Sequence, residues 1–252
     1  YVVGLKKILM GKVRVLIVAA GRGTRSGLDY PKTLFPIKGK PILVRIIESL
    51  SFYDSKPVIV VSPSGLDPIK NCLSEYGLQA KLAIQPNPNG MGDAVLCAEK
   101  YMDAENVLLI WGDIPFIQPR TVESLIKNHF KSNSSFTFIT RIVDCAYTMV
   151  IRNQKGGVSN VIESREKNII KPSAGERDIG LFVFKKTVVM NMLRKELSGK
   201  WGGVTGEHGF LYIISHLVLK KIGVTALPLA TELDLVSFNS MNDIEKYLEN
   251  CE

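Results

Sequence analysis

Between residues 13 and 132 the chain passes four times from a short aliphatic run into a stretch whose apolar residues recur at helical spacing. "VRVLIVAA" (13–20), "PVIVVSP", "AKLAIQP" and "ENVLLIWGD" are apolar on both sides, as strands covered on both faces must be. "PILVRIIESLSFY", "DPIKNCLSEYG", "GDAVLCAEKYM" and "PRTVESLIKNHFKS" supply the helices, with Pro near the start of the first and last and Gly77 closing the second. Such alternation predicts an α/β fold built on a doubly wound, mainly parallel sheet. The second half changes rhythm. "SFTFITRIVD", "YTMVIRNQKGGVSNVIES" and "DIGLFVFKK" read as strands, with "KGG" a turn between two of them. Helices are expected over "VVMNMLRKEL" and "HGFLYIISHLVLKK", a strand over "VTALPL", and a closing helix over "SMNDIEKYLE" with Ser240 as its N-cap. No Pro-, Gly- or Ser-rich linker divides the halves, so residues 13–252 read as one domain with a β lobe on the substrate side.

At 252 residues the chain can bury a large core without disulfides or metals. Lys and Arg number 32 against 24 Asp and Glu, a net charge of +8 that favours anionic partners, although a solubilising surface explains it equally well. The cations are scattered in pairs such as Lys6-Lys7 and Lys220-Lys221 with no aromatic-interleaved stripe, so no nucleic-acid partner is expected. Cys72, Cys97, Cys145 and Cys251 form no CxxC pair and the three histidines are dispersed, which argues against zinc and for a reducing cytoplasm. No apolar run approaches the ~20 residues of a membrane span, and "YVVGLKKILMGK" is too short in apolar core for a signal peptide. No membrane partner is therefore expected, and residues 1–12 read as an N-terminal extension in which Met10 could be the start.

The first strand delivers "GRGTRSG". A dinucleotide fingerprint fails because Ser26 stands where its third glycine belongs, and the GxxxxGK of a P-loop is absent. What remains is a glycine-rich turn at a strand's carboxyl end. Gly21 and Gly23 let the backbone approach a ligand and offer N–H groups to phosphate oxygens. On the loop alone, a tight turn with surface cations explains the residues as well.

The longer stretch "AAGRGTRSGLDYPK" resembles the signature of the sugar-1-phosphate nucleotidyltransferases, most closely the uridylyltransferase domain of the bifunctional N-acetylglucosamine-1-phosphate enzymes. The resemblance implies a Rossmann-like, GT-A-like nucleotidyltransferase fold, with a nucleotide half at about 13–130 and an acceptor half at about 131–252. It implies that the backbone of Ala19, Ala20, Gly21, Gly23 and Thr24 wraps an NTP while Arg25 and Lys32 neutralise it. Charge neutralisation and alignment are what α-phosphoryl transfer most needs. "QPNPNGMGDAV" resembles the base-reading segment, so that Gln85, Gly90 and Met91 fall beside the nucleotide. "LLIWGDIPFI" resembles the strand ending in Gly-Asp-x-Pro, and "LVSFNSMNDIEKYLE" the segment whose asparagine completes a Mg²⁺ site; these point to Asp113 and Asn239. "VSNVIESRE" and "ERDIGLFVF" resemble the sugar-side motifs, giving Glu163 and Asp178 as acceptor ligands.

Each residue also has a plainer reading: Gln85 as a surface residue at a strand end, Asp113 as a helix cap, Asn239 as a turn residue, Glu163 and Asp178 as exposed acids on sheet edges. Met91, Thr148, Met149 and Asp178 depart from the pattern, and they put N-acetylglucosamine 1-phosphate in doubt as substrate. The implied reaction joins an NTP to a sugar 1-phosphate with release of pyrophosphate. The rival readings are a cytidylyltransferase for a polyol phosphate or phosphocholine, and a catalytically silent nucleotide-binding regulatory subunit. A homo-oligomer is left open. The family's hexapeptide repeats do not occur in these residues, so the sequence reads either as an enzyme for the first reaction only or as part of something larger.

Overall fold

The computed structural model describes residues 13–21, 27–169 and 172–249. In chain order its strands are β1 (Val13–Val18), β2 (Pro36–Ile37), β3 (Lys40–Pro41), β4 (Val58–Val61), β5 (Lys81–Ile84), β6 (Asn106–Trp111), β7 (Phe136–Val143), β8 (Thr148–Arg152), β9 (Val158–Glu163), β10 (Gly175–Lys185) and β11 (Val224–Leu227). Seven of these form one sheet in the order β11-β7-β10-β6-β1-β4-β5. β1 pairs in parallel with β4 and β6, β4 with β5, and β11 with β7; β10 runs antiparallel between β6 and β7. The sheet is thus mixed and mainly parallel, as the alternating pattern predicts. β8 and β9 form a separate antiparallel hairpin that turns at Gly156, whose φ of +78° suits the predicted "KGG" turn.

The two-residue period of a strand explains why "VRVLIV" is apolar throughout. Val13, Val15 and Ile17 enter one core layer, packed with the helices Ile42–Leu50 and Pro119–Ser132, while Leu16 and Val18 enter the opposite layer with Met91–Cys97, Lys186–Arg194 and Ile213–Leu219. With both faces covered, the strands' carboxyl ends are left as the rim on which ligands can bind.

Two expectations are corrected. The helix expected over residues 208–221 forms only at Ile213–Leu219. Upstream, the His208 N–H is held by the Asn89 carbonyl at 2.6 Å and the Gly209 N–H by the Lys200 carbonyl at 2.9 Å, which ties this backbone into a loop. Ser240 does not cap the final helix, Asn242–Glu249: its hydroxyl donates to Asp243 at 3.1 Å. The Asp243 carboxylate also accepts from the backbone N–H groups of Asn239 (3.0 Å) and Ser240 (2.7 Å), so the first-turn acid gathers the preceding turn. Among the described residues no helix is long and apolar enough to cross a membrane.

Candidate active site

The carboxyl ends of β6, β1 and β4 lie side by side. The Ala19 N–H bonds the Val60 carbonyl and the Gly112 N–H the Val18 carbonyl, at 2.9 and 2.8 Å. A Cβ on Gly112 would stand 2.8 Å from that Val18 oxygen, so only glycine lets β6 pass this close before Asp113. A cavity of about 590 Å³ opens beside Ala20, Gly21, Tyr30, Pro31, Ser62 and Gln85. Ala19 is not among its lining residues. Gly23, Thr24 and Arg25 lie outside the described residues.

Gln85 is 5% exposed, which removes the surface reading. Its side-chain nitrogen donates to the Gly90 carbonyl at 3.0 Å and to the Asp93 carboxylate at 2.8 Å. With both amide hydrogens engaged, what Gln85 has left to offer a ligand is its oxygen. Gly90 begins the Met91–Cys97 helix with φ +106°, and a Cβ there would fall 2.4 Å from the His208 carbonyl oxygen. That contact joins the Gln85 loop to the loop of Lys200–Gly209.

A second cavity, of about 400 Å³, gathers Asp113, Asn239, Glu163, Asp178, Thr148 and Met91. Met91 lines this cavity with Trp111 and Phe210. Pro31 lines the first cavity, and the Nζ of its neighbour Lys32 stands 2.5 Å from Oδ2 of Asp113, a residue of the second, and 3.3 Å from the Phe238 carbonyl. Phe238 is fixed in turn by its N–H donating to the Asp113 carbonyl at 2.8 Å. Lys32, Asp113 and the segment carrying Asn239 are therefore one cluster, though 206 positions separate Lys32 from Phe238. Asp113 and Asn239 put a carboxylate and a carboxamide on the same wall, hard oxygen donors of the kind that suit Mg²⁺. An ammonium already seated on Asp113 marks the position as one that draws cations.

Asp113 does not cap the following helix; Asp234 does. Asp234 is 1% exposed and accepts from the Gln118 N–H, the Thr121 hydroxyl and the Thr231 N–H, each at 2.7 Å. It thereby pins the approach to Ser237 and Asn239 against the Pro119–Ser132 helix. Asp234→Ala should cost about 3 kcal/mol or more in urea unfolding, since it orphans buried donors. A loss below about 1 kcal/mol would show that the segment is anchored by other means.

Glu163 and Asp178 are not exposed edge acids. Asp178 is 4% exposed, its Oδ1 accepting from the Thr148 hydroxyl at 2.5 Å and its Oδ2 from the Gly180 N–H at 2.9 Å. Burial pushes the Asp178 carboxyl above its ordinary range, against the pull of the Thr148 hydroxyl. Burial likewise raises Glu163, with nearby Arg165 opposing and Asp178 adding to the rise. Two departures from the family pattern, Thr148 and Asp178, are thus bonded to each other.

Residues beyond those expected complete the cavity. Trp111 closes β6 two positions before Asp113, and both line the cavity; its place at a strand's carboxyl end is the signal by which the sequence could have indicated it. Gly180, at φ +76°, gives it room: a Cβ there would overlap the indole at 2.2 Å. Arg177 stacks on Tyr147, its guanidinium 4.2 Å from the ring centroid, and both line the cavity.

Comparison with known proteins bears on the family and the fold. The family model for the MobA-like NTP transferase domain matches residues 15–153. The bifunctional protein GlmU of Thermoanaerobacter pseudethanolicus is 31% identical over 182 residues, 71% of this chain and 39% of that protein. GlmU of Carboxydothermus hydrogenoformans is 27% identical over 180 residues, 71% of this chain and 40% of its own length. The chain thus spans about two fifths of these relatives. Among solved structures, the inositol-1-phosphate CTP transferase of T. maritima aligns with TM-score 0.73 and 18% identity over 95% of both chains. HddC of Yersinia pseudotuberculosis aligns with TM-score 0.69 and 20% identity over 95% of this chain and all of that one. At such identities the likeness bears on the fold.

Proposed function

Because this chain belongs to the family of MobA-like NTP transferase domains, nucleotidyltransferases of the sugar-phosphate kind, we propose that it joins an NTP to a sugar 1-phosphate, giving an NDP-sugar and pyrophosphate. The observation that carries the reading is the Lys32–Asp113 pair, which ties the residue next to Pro31 of the first cavity to Asp113 of the second. The NTP takes the first cavity, with the Gly21–Thr24 backbone along its phosphates and Gln85 and Gly90 at the base. The acceptor takes the second, with Glu163 and Asp178 at its non-phosphate end. In this reading residues 13–130 and 131–252 serve the nucleotide and the acceptor respectively.

An acceptor phosphate oxygen attacks the α-phosphorus, the bond to the β-phosphoryl oxygen breaks, and pyrophosphate leaves. A phosphate monoester is largely ionised at neutral pH, so the protein need not supply a base or a nucleophile. Its task is alignment and charge. Lys32 and Arg25 stand against the triphosphate, and Lys32 must leave Asp113 to do so. Asp113 and Asn239 would hold Mg²⁺, which when bound offsets charge on the reacting phosphates. A cytoplasmic setting, where NTP is abundant, fits this chemistry.

Pyrophosphate release across the four NTPs and a panel of sugar and polyol phosphates tests the reading. Release with a sugar 1-phosphate and an NTP is expected. Release only with polyol phosphates or phosphocholine would move the acceptor class, and no release with any pair would leave a nucleotide-binding regulator.

A further inference from the structure

The second cavity carries two carboxylates on one wall, and only one of them has a cation. Glu163 stands 3.5 Å from Arg165. Among the described residues, no Lys, Arg or His nitrogen comes within 4.0 Å of the Asp178 carboxylate. Arg177, its neighbour in sequence, lines the same cavity but makes its contacts with other groups: it stacks on Tyr147 and donates to the carbonyls of Leu235, at 3.3 Å, and Asp178, at 3.4 Å. Thr148 and Gly180 give Asp178 neutral hydrogen bonds, which offset part of the cost of burying a carboxylate, and Arg177 attracts it without an ion-pair contact. Trp111, Phe210 and Leu211 give the cavity an apolar share of its wall, and its two arginines are engaged elsewhere, Arg165 with Glu163 and Arg177 with Tyr147.

We propose that Glu163 and Asp178 form a cation subsite, so that the preferred acceptor carries a protonated amine at the end away from its phosphate. An ammonium offers donors only and a positive charge, matching two groups that only accept. A hydroxyl satisfies the lone pairs without the charge. An acyl carbonyl sets an oxygen against two acids, leaving them without a donor, the kind of mismatch a polar site rejects most strongly. The acceptor class is therefore the amino-sugar 1-phosphates, with the amine free rather than acylated. This deepens the transfer reading and rests on it.

The test compares glucosamine 1-phosphate, glucose 1-phosphate and N-acetylglucosamine 1-phosphate in pyrophosphate release. The free amine should lead by ~10- to 100-fold in kcat/KM, the scale of a charge-assisted hydrogen bond. Asp178→Asn should narrow the lead to within about threefold. The substitution keeps shape, an oxygen for the Gly180 N–H, and an amide toward which the Thr148 hydroxyl can turn as acceptor. If its thermal melt shows misfolding, Glu163→Gln takes its place. A wild type that uses either neutral sugar as well as the amine overturns the subsite but leaves nucleotidyl transfer standing. If no pair releases pyrophosphate, the transfer reading falls. Calorimetric binding of the same three compounds then decides the subsite alone: tighter binding of the amine supports it, and equal binding ends it.

Discussion

Asp113→Ala is expected to lower kcat by about 10²-fold or more, the scale for removing a principal electrostatic stabiliser from a phosphoryl-transfer site. The carboxylate is the negative charge of the Lys32 cluster, and it lines the second cavity together with Asn239. The variant should fold, because the link from Phe238 to residue 113 runs through the backbone carbonyl and survives truncation of the side chain. Asp113→Asn separates charge from shape. It keeps an oxygen donor while losing the charge, and it should fall nearer to the alanine variant than to wild type. Steady-state kinetics at saturating Mg²⁺ decides the matter. Wild-type turnover in Asp113→Ala would remove the metal assignment.

Lys32→Gln is expected to act in opposite directions on two measurements. Losing a cation opposite the triphosphate should reduce kcat/KM by about 10²-fold. The ammonium also sits 2.5 Å from the carboxylate proposed for the metal, where it would compete with a divalent ion. Removing it should therefore tighten Mn²⁺ binding severalfold, read by electron paramagnetic resonance of the free ion. Weaker Mn²⁺ binding in the variant would mean that Lys32 supports the metal position instead of occupying it. The pairing gives the ion pair a use before substrate arrives. It holds Asp113 and the Phe238 carbonyl in place, and both side chains remain largely buried without an unpaired charge.

Much of the fold was legible because strand and helix periods are local. The four alternations, the Gly77 turn and the "KGG" hairpin each depend on residues within a few positions of one another. The helix before residue 213 was misread because apolar spacing cannot report that Asn89 and Lys200 capture the backbone of His208 and Gly209. Within the candidate site, Gln85, Asp113, Glu163, Asp178 and Asn239 were singled out by motif, and Trp111 was within reach through its place at the end of β6. Asp234 was not, since its partners at Gln118 and Thr121 lie 116 and 113 positions away. Nor could sequence indicate that Thr148 bonds Asp178 across a separation of 30, which makes two isolated departures from the family pattern a single feature of the cavity.

The most direct measurement is ³¹P nuclear magnetic resonance of the protein with an NTP, a sugar 1-phosphate and Mg²⁺. Pyrophosphate and a new diphosphate diester should rise together in equal amounts as the acceptor monoester signal falls. NTP consumed without the diester, or spectra that do not change with any nucleotide, would contradict nucleotidyl transfer in this cleft.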